Sequence, residues 1–200
     1  MENEAVRAGY ERIAHIYDAQ RDQFKSTPWL ERFVALIPPR GSVLDVGCGA
    51  GRPVDAYLVE HGCSVQGLDL SQAMIDLART KVPEATYEVR DMLDLCAGEY
   101  HVDGIVAFYS IFHTPREQHK RLLDTLVSFL NPAGALLITM GAGEWEGVED
   151  GFHGARMYWS HYGAERNAEM VESAGCTVLV SEIDHSGGEQ HQVIFARKAA

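Results

Sequence analysis

The sequence predicts an α/β protein of one domain, a doubly wound and mostly parallel sheet of seven strands that finishes in an antiparallel hairpin. Three observations carry that expectation. The stretch Val43-Leu-Asp-Val-Gly-Cys-Gly-Ala-Gly-Arg-Pro53 is a short apolar run that ends in three alternating glycines and then turns polar, the pattern of a buried strand entering a tight turn before a helix. Beyond it, short apolar runs alternate with stretches of helical period, which implies parallel strands joined by right-handed crossovers. Near the end of the chain two apolar runs flank His185-Ser-Gly-Gly-Glu-Gln190, a hairpin signal and not a crossover.

Taken in order, Val6, Tyr10, Ile13 and Tyr17 recur at helical spacing and put an apolar face on a helix over residues 2–20. On that face Tyr10 is expected to pack against the sheet and Tyr17 to belong to a lid. A second helical stretch from Pro28 to Ile37 is stopped by Pro38, Pro39 and Gly41. After Gly51 a helix runs to about His61, Cys63 to Leu68 forms the second strand, and Ser71 caps a helix that turns Met74, Ile75 and Ala78 inward before Pro83. Thr86 to Arg90 and Val102 to Phe108 are the third and fourth strands. The helix from Pro115 to Leu130 has the start signal of a capping box, with Thr114 as N-cap and Glu117 at the third position.

Asn131-Pro-Ala-Gly134 ends that helix, and Ala135 to Met140 is the fifth strand. Gly141 to Tyr162 is rich in glycine, aromatics and histidine without clear period, so a long, partly irregular loop is expected there. Ala164 to Ala174 is the last helix, closed by Gly175, and Val178 to Ile183 and Gln192 to Ala196 are the final strands. The expected organisation is a helical lid over 1–40, a ligand-binding core over 41–140, a substrate loop over 141–162, and a last helix with hairpin over 163–200.

The chain has 200 residues, 46% of them hydrophobic, and a formal charge of -12. Nucleic-acid affinity is built largely from clustered Lys and Arg, so the expected partner is a small molecule. Cys48, Cys63, Cys96 and Cys176 are scattered with no C-x-x-C pair, which suggests neither a disulfide framework nor a zinc site. No apolar stretch has the length of a signal sequence or a bilayer span; a cytoplasmic monomer or homodimer with no membrane partner is expected.

In an open parallel sheet the ligand crevice lies beyond the carboxyl ends of the strands. The residues there are Gly47 to Gly51, Asp69, Asp91 with Met92, and Phe108 to His113. The glycines let bare backbone approach a ligand, and a carboxylate at Asp69 can accept two hydrogen bonds from a ribose diol. A nicotinamide dinucleotide is disfavoured, because the sixth position of that fingerprint, counted from Gly47, is Arg52 where the motif needs glycine.

These residues resemble the class I S-adenosylmethionine-dependent methyltransferases. Val43-Leu-Asp-Val-Gly-Cys-Gly-Ala-Gly51 is similar to that family's first motif, Gly67-Leu-Asp-Leu-Ser71 to its acidic ribose loop, and Arg90-Asp-Met92 to its adenine corner. Leu130-Asn-Pro-Ala-Gly134 is similar to its turn before the fifth strand, and the order of elements agrees over nearly the whole chain. The resemblance implies a Rossmann-like fold and S-adenosylmethionine as cofactor, with S-adenosylhomocysteine as product. It also implies positions: the amides of Gly47, Cys48 and Gly49 at the methionine part, Asp69 at the ribose, Leu70 and Met92 at the adenine faces, and Asp91 at the adenine amino group. The backbone near Phe108 would meet the methionine amino group and Tyr17 would close the site.

Methyl transfer from a sulfonium is an in-line displacement, and the protein must align the acceptor with the methyl carbon. Candidate acceptor-side residues are Tyr109, Phe112 and His113 beyond the fourth strand, with Phe152, His153, Tyr158, Trp159 and His161 in the following loop. His113, His161 and His191 are candidate bases. No metal is expected, since no carboxylate follows Asp103 at the end of the fourth strand and no H-x-x-x-H pattern occurs. The expected reaction is methylation of an oxygen or nitrogen on a small, aromatic organic molecule. Transfer to a thiol or other soft nucleophile, and a non-catalytic cofactor-binding module, are the alternatives.

Overall fold

The computed structural model describes residues 2–20 and 26–199. Met1, residues 21–25 and Ala200, which fall within the expected lid and the expected last unit, lie outside the described residues. Helices α1 (Glu2–Gln20) and α2 (Thr27–Val34) lead into β1 (Ser42–Val46), α3 (Val54–Glu60), β2 (Ser64–Asp69), α4 (Gln72–Lys81), β3 (Thr86–Val89) and β4 (Val102–Ala107). Then follow α5 (Arg116–Phe129), β5 (Leu130–Gly141), β6 (Trp145–Phe152), β7 (Ala155–His161), α6 (Ala164–Ser173), β8 (Cys176–Asp184) and β9 (His191–Lys198).

Seven strands form one sheet in the order β3-β2-β1-β4-β5-β9-β8. The first five are mutually parallel, and β9 lies antiparallel between β5 and β8. The expected fold class therefore holds, closing hairpin included. Because side chains alternate across a strand, β1 sends Leu44 and Val46 to one face and Val43 to the other. Leu44, Ile105, Leu136 and Ile138 join Leu122, Leu126 and Val171 of α5 and α6 in one apolar layer. Val43, Val106, Leu137 and Phe195 pack with Leu30, Phe33, Val54 and Leu58 of α2 and α3 in the other. Asn131 to Gly134 bulge out of register between the pairs Val102 with Leu130 and Gly104 with Ala135, and Asn131 Nδ2 donates to Asp103 Oδ1 at 2.8 Å.

Two sequence expectations are corrected. Residues 141–162 are not an irregular loop: β6 and β7 make a separate antiparallel ribbon with Trp145 opposite His161 and Phe152 opposite Ala155. Only β7 turns a buried face inward, with Ala155, Met157, Tyr158 and Ser160, so no alternating apolar pattern marked β6. The turn signal is His153-Gly154, both at positive φ (49° and 85°), as a two-residue reversal between twisted strands requires.

The second correction concerns the start of α5. Thr114 is not its cap: its Oγ1 donates to the Ile111 carbonyl at 2.7 Å inside the preceding 3-10 turn, Ile111–His113. The first amide of the helix, Arg116 N–H, is received instead by Ser160 Oγ of β7 at 3.0 Å. The cap comes from a strand 44 residues away in the sequence, which a local capping pattern cannot reveal. Among the described residues no helix is long and apolar enough to cross a membrane.

Candidate functional site

The glycine turn after β1 is clamped from both sides. Gly47 N–H and Cys48 N–H both donate to the Leu68 carbonyl of β2, at 2.7 and 2.9 Å. On the other side Ser110 Oγ donates to the Val46 carbonyl at 2.6 Å, and a Cβ on Gly47 would lie 2.2 Å from Ser110 Cβ. Gly49 differs. It has φ 54°, and a Cβ placed there meets nothing within 4 Å; the backbone faces open cleft. A narrow polar ligand can lie directly against it.

Asp69, at the carboxyl end of β2, is fixed by backbone. Its Oδ2 accepts Gly49 N–H at 2.9 Å and its Oδ1 accepts Ser71 N–H at 2.9 Å. Loss of water raises its pKa to about 6, against the pull of the Ser71, Gly49 and Leu70 amides. The group is thus mainly ionised at neutral pH. A carboxylate offers about four lone-pair sites, so with these amides bound it keeps acceptor capacity for a diol. Ser71 Oγ accepts Met74 N–H at 3.3 Å and caps α4 as expected.

Asp91 Oδ1 accepts Leu93 N–H at 2.9 Å, while Oδ2 accepts from Asn3 Nδ2 of α1 at 2.7 Å. Behind the turn, Asp45 and Asp55 are buried. Burial pushes Asp55 up to about 7.

The cleft holds about 940 Å³ of empty space, the open solvent at its mouth included. It brings together Tyr17, Gly47, Cys48, Gly49, Asp69, Leu70, Asp91, Met92, Phe108, Tyr109 and His113, eleven of the residues named from sequence. Its roof is α1, which adds Asn3, Val6 and Tyr10. Tyr10 was expected only to pack. The apolar face of α1 was readable, but its partner lies 103 residues on.

Phe112, Tyr158 and Trp159 stand behind that lining rather than in it. The Phe112 ring is 5.4 Å from Trp159 and 5.6 Å from His191, and Trp159 is 4.3 Å from the His113 ring. Tyr158 gives its hydroxyl to Glu146 Oε1 at 2.9 Å. His161 pairs through Nδ1 with the Gly143 carbonyl at 2.6 Å. The His191 ring meets Tyr109 edge-on at 4.8 Å, and its Nε2 is 3.4 Å from Glu189. At the hairpin tip Phe152 and His153 pack on Tyr17, at 6.1 and 6.0 Å between rings.

His113 alone of the three candidate bases lines the cleft. Its Nδ1 is 2.9 Å from the Tyr158 carbonyl and its Nε2 is 2.8 Å from the Tyr10 hydroxyl. A carbonyl only accepts, so Nδ1 carries the hydrogen and Nε2 offers its lone pair to Tyr10. Burial lowers the His113 pKa to about 4, partly offset by that carbonyl; the ring is neutral at physiological pH. No group of three or more His, Cys, Asp or Glu placed to hold a metal occurs among the described residues.

The geometry fits the cofactor that the motifs imply: an open backbone cradle at Gly49, a carboxylate at Asp69 with acceptor capacity for a diol, and an apolar wall at Leu70 and Met92. Comparison with known proteins agrees. A family described as a methyltransferase domain matches residues 43–134. The tRNA (carboxymethyluridine(34)-5-O)-methyltransferase of Arabidopsis thaliana is 30% identical over 141 residues, 67% of this chain and 33% of that protein. A ubiquinone biosynthesis O-methyltransferase of Coxiella burnetii is 31% identical over 101 residues, 48% of this chain and 42% of its own. The chain thus spans about a third to two fifths of the length of the curated relatives it matches.

Among solved structures, the Burkholderia thailandensis 1,6-didemethyltoxoflavin-N1-methyltransferase, with bound 1,6-didemethyltoxoflavin and S-adenosylhomocysteine, superposes with a TM-score of 0.75 at 21% identity. It covers 97% of this chain and 87% of its own. With its first motif, its sheet order and the domain match in agreement, residues 43–134 form a methyltransferase domain of the class I S-adenosylmethionine-dependent kind.

Proposed function

We propose that this chain transfers a methyl group from S-adenosylmethionine to an oxygen or nitrogen of a small, planar organic molecule. The carrying observation is one cleft that joins the Gly49 cradle and Asp69 at one end to an aromatic, histidine-backed surface at the other. Similar proteins are O- or N-methyltransferases by name, and the charge of -12 favours a small acceptor over a polyanion such as tRNA.

Bound S-adenosylmethionine supplies a methyl group already activated by its sulfonium. Asp69 would hold the ribose, Leu70 and Met92 would sandwich the adenine, and Gly47 to Gly49 would receive the methionine part. Asp91 would take the adenine amino group with an oxygen that now accepts from Asn3. Tyr17, between Tyr10 and the hairpin tip, would close the roof. The acceptor would lie against Phe108 and Tyr109, with His113 as base; Phe112, Tyr158 and Trp159 would hold that wall in place, and His161 and His191 would support it from behind. Fixing the acceptor in line with the methyl carbon removes on the order of several kcal/mol from the barrier.

The test is transfer of labelled methyl from S-adenosylmethionine to small phenols, amines and thiols. Labelled ether or amine products are expected. Binding of S-adenosylhomocysteine with no transfer to any of the three classes would mark a cofactor-binding module, and exclusive labelling of thiols would mark a soft-nucleophile enzyme.

A further inference from the structure

Tyr10 is the side chain of the cleft that the sequence did not assign and that touches the candidate base directly. Its hydroxyl is 2.8 Å from His113 Nε2, with the two rings edge-on at 5.3 Å and 88°. His113 cannot turn away: Nδ1 is tied to the Tyr158 carbonyl at 2.9 Å, and the ring is wedged against Trp159 at 4.3 Å and Phe112 at 5.3 Å. The pair spans the cleft from its roof, α1, to its floor after β4. A hydroxyl that donates to an imidazole lone pair can still accept through its oxygen, so the Tyr10 oxygen can take a hydrogen bond from a ligand.

We propose that the Tyr10 hydroxyl, backed by His113 Nε2, receives the proton of the methyl acceptor, and that this acceptor is a phenolic hydroxyl. The inference rests on the methyltransferase reading above and names the substrate class for it. Thiols ionise near neutrality without help, with pKa about 8.5, whereas a phenol of pKa about 10 keeps its proton at neutral pH. Amines react as free bases and release their proton to water afterwards. Of these nucleophiles the phenol gains most from a fixed hydroxyl-imidazole relay. Tyr17, Phe108 and Tyr109 around the relay offer flat faces and edges to an aromatic ring.

The step balances. The bond from the phenolic oxygen to the methyl carbon forms as the carbon-sulfur bond of S-adenosylmethionine breaks. The phenolic proton passes to the Tyr10 oxygen while the Tyr10 proton passes to His113 Nε2. The products are an aryl methyl ether, S-adenosylhomocysteine, neutral tyrosine and a His113 imidazolium, which returns its proton to water through Tyr10 once the cleft opens.

The experiment uses the full chain with three probes, 4-methylphenol, 4-methylaniline and 4-methylthiophenol, labelled S-adenosylmethionine as donor, and calorimetric binding of S-adenosylhomocysteine in parallel. Wild-type protein is expected to methylate 4-methylphenol faster than the other two. Tyr10→Phe is expected to lower kcat at least a hundredfold with S-adenosylhomocysteine affinity within twofold of wild type. His113→Gln should do the same, and the double variant should be no slower than the worse single one, because the two act as a unit. The proposal is overturned if the amine or thiol is preferred, if none of the three is methylated, or if Tyr10→Phe keeps kcat within threefold. It is also overturned if affinity and kcat fall together in Tyr10→Phe, which would make Tyr10 a packing residue. Failure of the wild-type chain to bind S-adenosylhomocysteine would instead remove the underlying methyltransferase reading.

Discussion

Gly47 and Gly49 sit two residues apart in one turn and answer to different constraints. Both have positive φ, which costs a residue with a Cβ about 1–2 kcal/mol. At Gly47 the added carbon also strikes Ser110 Cβ at 2.2 Å, in a segment bonded to the Val46 carbonyl. Gly47→Ala is therefore expected to destabilise the fold by about 3 kcal/mol or more. At Gly49 the carbon enters empty cleft. Gly49→Ala should cost only the backbone strain, about 1–2 kcal/mol, yet weaken S-adenosylhomocysteine binding. Urea melts and calorimetric titrations of the two variants check this, and equal losses of stability would contradict it.

Among the elements, the β6–β7 ribbon was the least legible and does several jobs. Its outer strand is largely polar and exposed, so apolar alternation failed, and its only signal was the His153-Gly154 reversal. Once folded, β7 packs on α1 through Met157 and Tyr158, fixes His113 through the Tyr158 carbonyl, and caps α5 through Ser160. Arg116 binds it further through Glu144 at 2.7 Å and Glu146 at 3.3 Å. Ser160→Ala is expected to cost about 1 kcal/mol of stability and to speed hydrogen exchange at the Arg116 amide. Unchanged exchange at Arg116 would return the cap to Thr114. Tyr10 illustrates the same limit: its helical spacing was readable, but that its hydroxyl meets His113 depends on how α1 crosses the sheet, which no local pattern encodes.

At the scale of the whole molecule the strands of the main sheet and its closing hairpin were legible, because apolar runs alternate with helical periods and a glycine turn marks the end of β1, while their order came from the structure. A helical lid over 1–40 was expected, but the contacts that hold α1 over the cleft were not readable. The helix is strapped by Asn3 to Asp91, by Glu11 accepting from Gln72 N–H at 2.5 Å, and by Asp18 paired with Lys81.

The buried titratable groups set opposing slopes of stability against pH. His113 and His119 are each lowered to about 4, so their contribution is present above 6.5 and lost as pH falls toward 4. Asp69 and Asp55 are raised to about 6 and about 7, so theirs is present below 3.8 and lost as pH rises through those values. The two pairs offset each other between pH 4 and 6. Asp55→Asn removes one side. Its stability relative to wild type should be higher at pH 7.5, and it should fall more steeply on acidification below pH 6.5. A melting profile parallel to that of the wild type would contradict this.

The central claim is that the cleft between the glycine turn, Asp69 and α1 holds S-adenosylmethionine. Calorimetric titration of S-adenosylhomocysteine into the wild-type chain and into Asp69→Ala tests it most directly. The wild type should bind, and the variant should keep its fold by circular dichroism while binding roughly ten- to a hundredfold more weakly, the loss of hydrogen bonds to a charged acceptor. Equal affinity in the two proteins, or no binding by the wild type, would contradict the assignment.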